Sequence, residues 1–141
     1  MTIRTAESSY TAVDYAVATR PLRGEVESGD LHIVIPRPHG AIVAVADGLG
    51  HGYEAALAAK VAVNTLTAQA HLPLLDAVRH CHEALIRTRG VAMSIASLEW
   101  APETMTWLSI GNVGGVLLRA DNQGKIEREH VLTRNGLVAT A

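Results

Sequence analysis

The order of the predicted elements places this chain in the α+β class, with helices packed on a largely antiparallel sheet. Three observations predict this class: strand-like runs come first, two consecutive helical segments follow them, and the second half returns to strands. Strands and helices do not alternate along the sequence, as they would in a doubly wound parallel sheet. The length of 141 residues and the hydrophobic share of 48% predict one domain, residues 1–141, with a substantial core.

Three strands are predicted before the helices. A loosely alternating run, Tyr10–Thr19, is the first of them, and the apolar runs Leu31–Pro36 and Ala41–Asp47 are the second and third. Residues 37–40, with the sequence Arg-Pro-His-Gly, lie between the two apolar runs and predict a tight turn. The second and third strands are therefore expected to form a hairpin.

Two helices are predicted next. The segment Tyr53–Gln69 is rich in Ala and Leu and contains no Pro or Gly, as is typical of a helix. Pro73 opens a second helical segment, Leu74–Thr88, and Gly90 follows its end. Because the two helices are consecutive, we expect them to pack side by side on one sheet.

Four strands are predicted in the second half. Short turn segments rich in Pro, Gly, Asn and Asp separate them, so each strand is expected to be antiparallel to the one before it. The predicted strands are Val91–Trp100, Met105–Ile110, Val113–Arg119 and Ile126–Leu132.

Composition excludes several classes of protein. The formal net charge is −2 and Lys and Arg are not clustered, which argues against a nucleic-acid partner. Cys81 is the only cysteine, so no internal disulfide can form and a cytoplasmic location is expected. No apolar run reaches the roughly 18 residues of a membrane span, and the N-terminal residues lack the apolar segment of a signal peptide. No membrane partner is expected.

The segment that carries chemistry is residues 45–52, Val-Ala-Asp-Gly-Leu-Gly-His-Gly. An apolar strand delivers Asp47 at its end, and alternating glycines lead from it into a helix. Hard divalent cations prefer carboxylate and carbonyl oxygens, which Asp47 and the backbone of Gly48 can supply. A plain strand-to-helix turn explains the same pattern. A nucleotide-binding loop fits less well, because the spacing is G-x-G-x-G and no G-K-[ST] follows.

The same segment resembles a known family. Residues 47–52, D-G-L-G-H-G, are similar to the D-G-M-G-H-G motif of the SpoIIE-type branch of the type 2C metal-dependent protein phosphatases. Residues 28–30, Ser-Gly-Asp, resemble the S-G-D element that precedes that motif in the branch. Residues 88–93, 110–113 and 134–138 resemble segments of its RsbX-like members, small phosphatases that act on the stressosome. The five elements occur in order from Ser28 to the end of the chain.

The resemblance implies a fold and an activity. The fold would be an αββα sandwich of two mainly antiparallel sheets flanked by helices. The activity would be metal-dependent removal of phosphate from serine or threonine, with a two-metal Mn²⁺ or Mg²⁺ centre that activates water and neutralises phosphate charge. The implied partners are phosphorylated STAS-domain proteins of a stressosome-like complex in stress signalling.

The resemblance also assigns roles to individual residues. Asp30, Asp47 and the carbonyl of Gly48 would bind metal, with Asp47 between the two ions. His51 is a candidate general acid for the leaving oxygen, because histidine titrates near pH 6.5, or else a loop residue that orients the site. Arg89 could bind the substrate phosphate through its planar guanidinium, or be a surface cation at a helix C-terminus.

One departure from the family bears on catalysis. The family has two further metal-binding acids in its C-terminal part, whereas the later aspartates of this sequence are Asp76, on a predicted helix, and Asp121, in a predicted turn. The C-terminal part of the domain is therefore expected to be missing, and little or no catalysis by the 141-residue form is expected. The alternative function is a non-catalytic module of the same fold that binds phosphoproteins. Cys81 is expected to be an inert packed residue, since this chemistry needs no thiol.

Overall fold

The structure, a computed structural model, describes residues 2–5 and 13–138. These residues form eight strands and two helices. In chain order they are β1 (Thr2–Thr5), β2 (Ala16–Thr19), β3 (Asp30–Arg37), β4 (Gly40–Gly48), α1 (Gly52–Ala68), α2 (Leu74–Leu85), β5 (Val91–Trp100), β6 (Glu103–Ile110), β7 (Val116–Ala120) and β8 (Ile126–His130). No helix in the described ranges has the length and apolarity that crossing a membrane would require.

Every strand pairing between these elements is antiparallel, which confirms the predicted α+β class. The central sheet has four strands in the order β3-β4-β5-β6, and β1-β2 and β7-β8 each form a two-stranded sheet. The resemblance implied two mainly antiparallel sheets flanked by helices; the described residues build one four-stranded antiparallel sheet and these two smaller ones. The predicted hairpin between the second and third strands is β3-β4, closed at the pair Arg37–Gly40.

Three predicted elements differ from the structure by three residues or more at one end, and the other boundaries agree within two residues. Of the strand predicted at Tyr10–Thr19, residues 16–19 are extended strand, residues 13–15 are not, and residues 10–12 lie outside the described part. The second helix ends at Leu85, because residues 86–88 continue as a tighter turn in which the Thr88 amide donates to the Leu85 carbonyl over 2.8 Å, three residues before it. The strand predicted at Val113–Arg119 begins at Val116, after two glycines that disfavour a strand.

Both helices cover one face of the central sheet. Buried residues of α1 and α2 share one cluster with alternate residues of β4 and β5, including Leu66, Leu85, Ile42 and Ile95. Burying each of the two leucines fully stabilises the fold by about 1.5–3 kcal/mol. The part of α1 that meets the sheet is alanine-rich and fully buried, so the helix axis lies close to the strands.

The register of the β3-β4 hairpin positions the site. Leu31 and Ala46 are paired and pack on the helix side of the sheet. Because side chains alternate along a strand, the neighbouring pair Asp30 and Asp47 points to the opposite face. Two carboxylates are thereby brought together at the end of the hairpin that lies furthest from its turn.

Candidate metal centre

Asp30 and Asp47 are directly opposite each other in the β3-β4 ladder. Residues paired in this way have Cβ atoms about 4.5–5.5 Å apart, so two carboxylates there repel each other unless a proton or a cation lies between them. Burial raises the pKa of Asp47, and the charge of Asp30 and a hydrogen bond with Asp30 raise it further. This pair has the ligand chemistry of a divalent-cation site. Both carboxylates can bind a cation through oxygen, and the positive charge of that cation would remove the repulsion between them.

Gly48 allows the backbone of α1 to pack closely against the end of β4, next to Asp47. A Cβ atom at this position would lie 2.0 Å from the carbonyl oxygen of Ala55 in the second turn of α1. Only glycine therefore permits the helix to approach the strand end this closely. The Gly48 amide donates to the Gly29 carbonyl over 3.0 Å, which ties the glycine loop to the segment that precedes Asp30.

His51 lies at the start of α1 and is held by an acid that the sequence did not indicate. Its Nδ1 is 2.6 Å from Oε1 of Glu25. A carboxylate can only accept, so Nδ1 carries the hydrogen in this contact and Nε2 is the second functional nitrogen of the ring. The Glu25 carboxylate also lies beside Gly52, where an added Cβ would be 2.7 Å from Oε2. Glu25 thus fixes the orientation of His51 in the glycine loop.

Arg89 contacts the first turn of α1 and the glycine loop. Its guanidinium forms an ion pair with Glu54, in the first turn of α1. A Cβ on Gly50 would lie 2.7 Å from a guanidinium nitrogen of Arg89, so the side chain packs against the glycine loop. Arg89 is absent from the described lining of the pocket that contains both aspartates. The direct phosphate role remains a prediction without support from this geometry, which instead shows a brace between α1 and the loop.

Arg20 is the cation that sequence reasoning missed. It lines a pocket of about 220 Å³ together with Asp30, Asp47, Glu25 and His51. Within residues 2–5 and 13–138 its guanidinium has no ion pair or hydrogen bond. No motif surrounds Arg20 in the sequence, and only the folding of residues 20–29 against the glycine loop brings it to the carboxylates.

The later aspartates lie away from this pocket, as the sequence predicted. Asp76 is on α2 and pairs with Arg79 at 3.1 Å, and Asp121 accepts two backbone amides in the turn between β7 and β8. Among the described residues no group of three acidic, histidine or cysteine side chains converges as a metal cage. The described part of the chain therefore brings two aspartates, Asp30 and Asp47, together at this site.

Cys81 is buried on α2 and donates its thiol hydrogen to the Ala62 carbonyl at 3.7 Å. Burial raises the pKa of this thiol to about 12. A thiol with such a pKa is not a nucleophile near neutral pH, since the thiolate is the reactive form. The prediction that Cys81 is an inert packed residue is confirmed.

Solved structures with the same fold define the class. RsbX in complex with magnesium aligns with a TM-score of 0.83 and 24% identity over 98% of this chain. A structure from work on the bacterial stressosome, as a modular system adapted to control secondary messenger signalling, aligns with a TM-score of 0.75 and 27% identity over 84%. The PP2C phosphatase domain of SpoIIE from Bacillus subtilis aligns with a TM-score of 0.61 and 14% identity over 96%. The chain has the fold of the type 2C phosphatases.

Sequence comparison narrows this class to a family. The family model described as Stage II sporulation protein E (SpoIIE) matches residues 37–138, well over half of the chain. The chain belongs to the SpoIIE family, as the motif at residues 47–52 indicated. Comparison with curated protein sequences finds no match. The chain spans 66% of the RsbX chain, 59% of the stressosome-related chain and 45% of the SpoIIE chain.

Proposed function

We propose that this protein is a metal-dependent serine/threonine phosphoprotein phosphatase that acts on phosphorylated STAS-domain proteins of a stressosome-like complex. The observation that carries the proposal is the facing pair Asp30 and Asp47 beside the glycine loop, in a chain of the SpoIIE family. The likeness to RsbX and to a stressosome-related structure supports the choice of substrate class. Mn²⁺ or Mg²⁺ is the proposed cofactor, since oxygen donors are the ligands these ions prefer.

The residues of the site divide the work between them. Asp30, Asp47 and the carbonyl of Gly48 would hold the cation, which when bound lowers the pKa of water and neutralises phosphate charge. His51, held by Glu25, would give a proton to the leaving serine or threonine oxygen from Nε2; its contact with Glu25 supports this role. Arg20 would bind phosphate oxygens, a role supported by its position in the lining of the pocket and by its planar guanidinium.

Hydrolysis of a STAS domain that carries one phosphoserine tests this function directly. We expect release of phosphate that depends on Mn²⁺ or Mg²⁺ and that falls by about 100-fold or more in Asp47→Asn. The lost metal chemistry contributes several kcal/mol, and each tenfold in rate corresponds to about 1.4 kcal/mol. Asp76→Asn removes an acid on α2 outside the pocket and is the matched control. Equal rates for Asp47→Asn and the wild type would contradict the proposal.

One observation favours the alternative, a non-catalytic module that binds phosphoproteins. The described residues contain no group of three acidic, histidine or cysteine side chains that could hold a metal, whereas two-metal catalysis in phosphatases uses a symmetric clamp of both ions. Tight binding of the phosphorylated STAS domain with no phosphate release at any Mn²⁺ concentration would support this alternative.

Arg20→Ala is expected to lower kcat/KM more than it lowers kcat. Losing one charge-assisted contact to phosphate costs about 1.5–3 kcal/mol, which corresponds to a roughly 10- to 100-fold lower kcat/KM. Arg23→Ala is the control, because Arg23 is exposed, three residues away and outside the described lining of the pocket. Steady-state kinetics with the phosphorylated STAS domain measure both variants, and equal effects of the two would assign Arg20 no role in phosphate binding.

A further inference from the structure

Five large apolar side chains are exposed around the pocket of the two aspartates. They come from the loop before β3 and from the glycine loop with the first turns of α1, and we refer to them as the apolar patch. Its members, with their exposed fractions, are Leu22 (62%), Val26 (94%), Leu49 (46%), Tyr53 (70%) and Leu57 (41%). Burying side chains of this size is favourable, and contiguous apolar patches with a polar rim mark interaction sites.

Two ion pairs hold the loop against α1 and make the patch one surface. Glu25 contacts His51 at 2.6 Å, and Glu27 contacts Nζ of Lys60 at 2.9 Å. Val26 lies between these two anchors, and its side chain is almost fully exposed to solvent. Tyr53 and Leu57 precede Lys60 by seven and three residues, a spacing that puts all three on one face of a helix. The patch therefore faces one side of the molecule.

Three acids that adjoin the patch are already paired. The two acids on either side of Val26 each have a basic partner, and Glu54, next to Tyr53, is paired with Arg89. The patch therefore has paired charges at its edge, while Arg20 and the two aspartates lie in the pocket beside it. An apolar centre with a polar rim is the arrangement of a protein-protein interface, and exposed tyrosine is enriched among the residues that dominate binding energy.

We propose that the apolar patch is the docking surface for the phosphoprotein substrate, an inference that rests on the proposed function. The patch is continuous with the site: Leu22 lines the pocket, and residues 50–52 of the pocket wall lie between Leu49 and Tyr53. A phosphoserine side chain is short, so its phosphate reaches the carboxylates only if the surrounding protein surface comes into contact with the patch. The partner surface next to the phosphoserine is expected to be apolar.

The double variant Val26→Ser, Tyr53→Ser tests the docking role, since neither residue contributes to the proposed chemistry. Binding of a phosphorylated STAS domain is measured by calorimetry in the Asp47→Asn background, so that docking is recorded apart from turnover. We expect affinity to fall by about tenfold or more, the effect of losing a central interface residue. Leu75→Ser and Leu118→Ser, exposed by 59% and 61% on α2 and β7, are the matched controls and are expected to leave affinity unchanged.

Turnover of a small substrate distinguishes failure of the docking proposal from failure of the proposed phosphatase function. Hydrolysis of p-nitrophenyl phosphate with Mn²⁺ is expected to be unchanged in Val26→Ser, Tyr53→Ser, because that ester does not reach the patch. Absence of hydrolysis in the wild type would refute the proposed function, and the calorimetry would still decide the docking role. Docking is overturned if the wild-type patch does not bind the STAS domain, or if the control variants lose as much affinity. It is also overturned if the double variant only converts a dimer to a monomer, since the occupant is then a second copy of this chain.

Discussion

Asp47→Asn is expected to abolish Mn²⁺ binding and, at neutral pH, to make the metal-free chain more stable. The first effect follows from the loss of a charged oxygen donor shared with Asp30. The second follows because the substitution removes the repulsion between two facing carboxylates while keeping the side-chain volume. Substitutions that remove an unfavourable interaction at a functional residue commonly stabilise a protein by roughly 0.5–2 kcal/mol. The lower end of this range is expected here, because Asp47 is partly exposed.

The stability difference should depend on pH with a defined sign. The pKa of Asp47 is raised in the folded state, so the folded chain holds this proton more tightly than the unfolded chain does. Ionised Asp47 therefore lowers stability above its folded pKa, and this penalty vanishes as the pH falls to the ordinary value of 3.8. Urea unfolding of wild type and Asp47→Asn should differ most near pH 7 and converge near pH 4.

Adding Mn²⁺ should reverse the order of stability of the wild type and Asp47→Asn. A ligand that binds only the folded state adds about 2.7 kcal/mol at 100 times its Kd, so Mn²⁺ should stabilise the wild type and leave Asp47→Asn unchanged. Asp76→Asn is the control, because its carboxylate pairs with Arg79 on α2, and it should respond to Mn²⁺ as the wild type does. Equal stabilisation of wild type and Asp47→Asn by Mn²⁺ would show that the glycine loop is a structural turn.

Gly48→Ala is expected to destabilise the fold by about 3 kcal/mol, because the new methyl group would lie 2.0 Å from the Ala55 carbonyl oxygen. The atoms it meets are helix backbone, so relief requires α1 to move away from the sheet. Ala55 is fully buried, and such a movement opens the core beneath it. Thermal or urea unfolding, followed by circular dichroism, measures the loss.

Gly114→Ala is the matched control for this steric effect. A Cβ at Gly114 meets no atom within 4 Å, and its backbone is not among those with positive φ. Its unfolding free energy should stay within roughly 0.5 kcal/mol of the wild type. If the two alanine variants are equally stable, the close approach of α1 to the end of β4 does not limit what residue 48 can be.

The chemistry of the site was predictable where it depends on local sequence. An acid at a strand end followed by glycines indicated both Asp47 and Gly48 because residues 47–52 also match a family motif, whereas the local pattern alone fits a plain strand-to-helix turn equally well. Glu25 and Arg20 were not predictable, since they reach the pocket through an irregular loop whose path depends on tertiary contacts. The contact of Arg89 with the glycine loop and its ion pair with Glu54 were not predicted, because the sequence indicated Glu54 only as a residue of the first helix.

The length of the turn that closes the β3-β4 hairpin sets the strand register at a site that lies far from it. Pro38 and His39 separate the pair Arg37–Gly40, and seven residue steps along each strand then bring Asp30 opposite Asp47. At about 3.3 Å per step the turn is roughly 23 Å from the carboxylates. Inserting one residue into this turn would shift one strand by one position and send one carboxylate to the helix side of the sheet. Natural variation in loop length should therefore be tolerated at the exposed turn between β7 and β8, while the length of this distant turn is fixed by the chemistry at the other end.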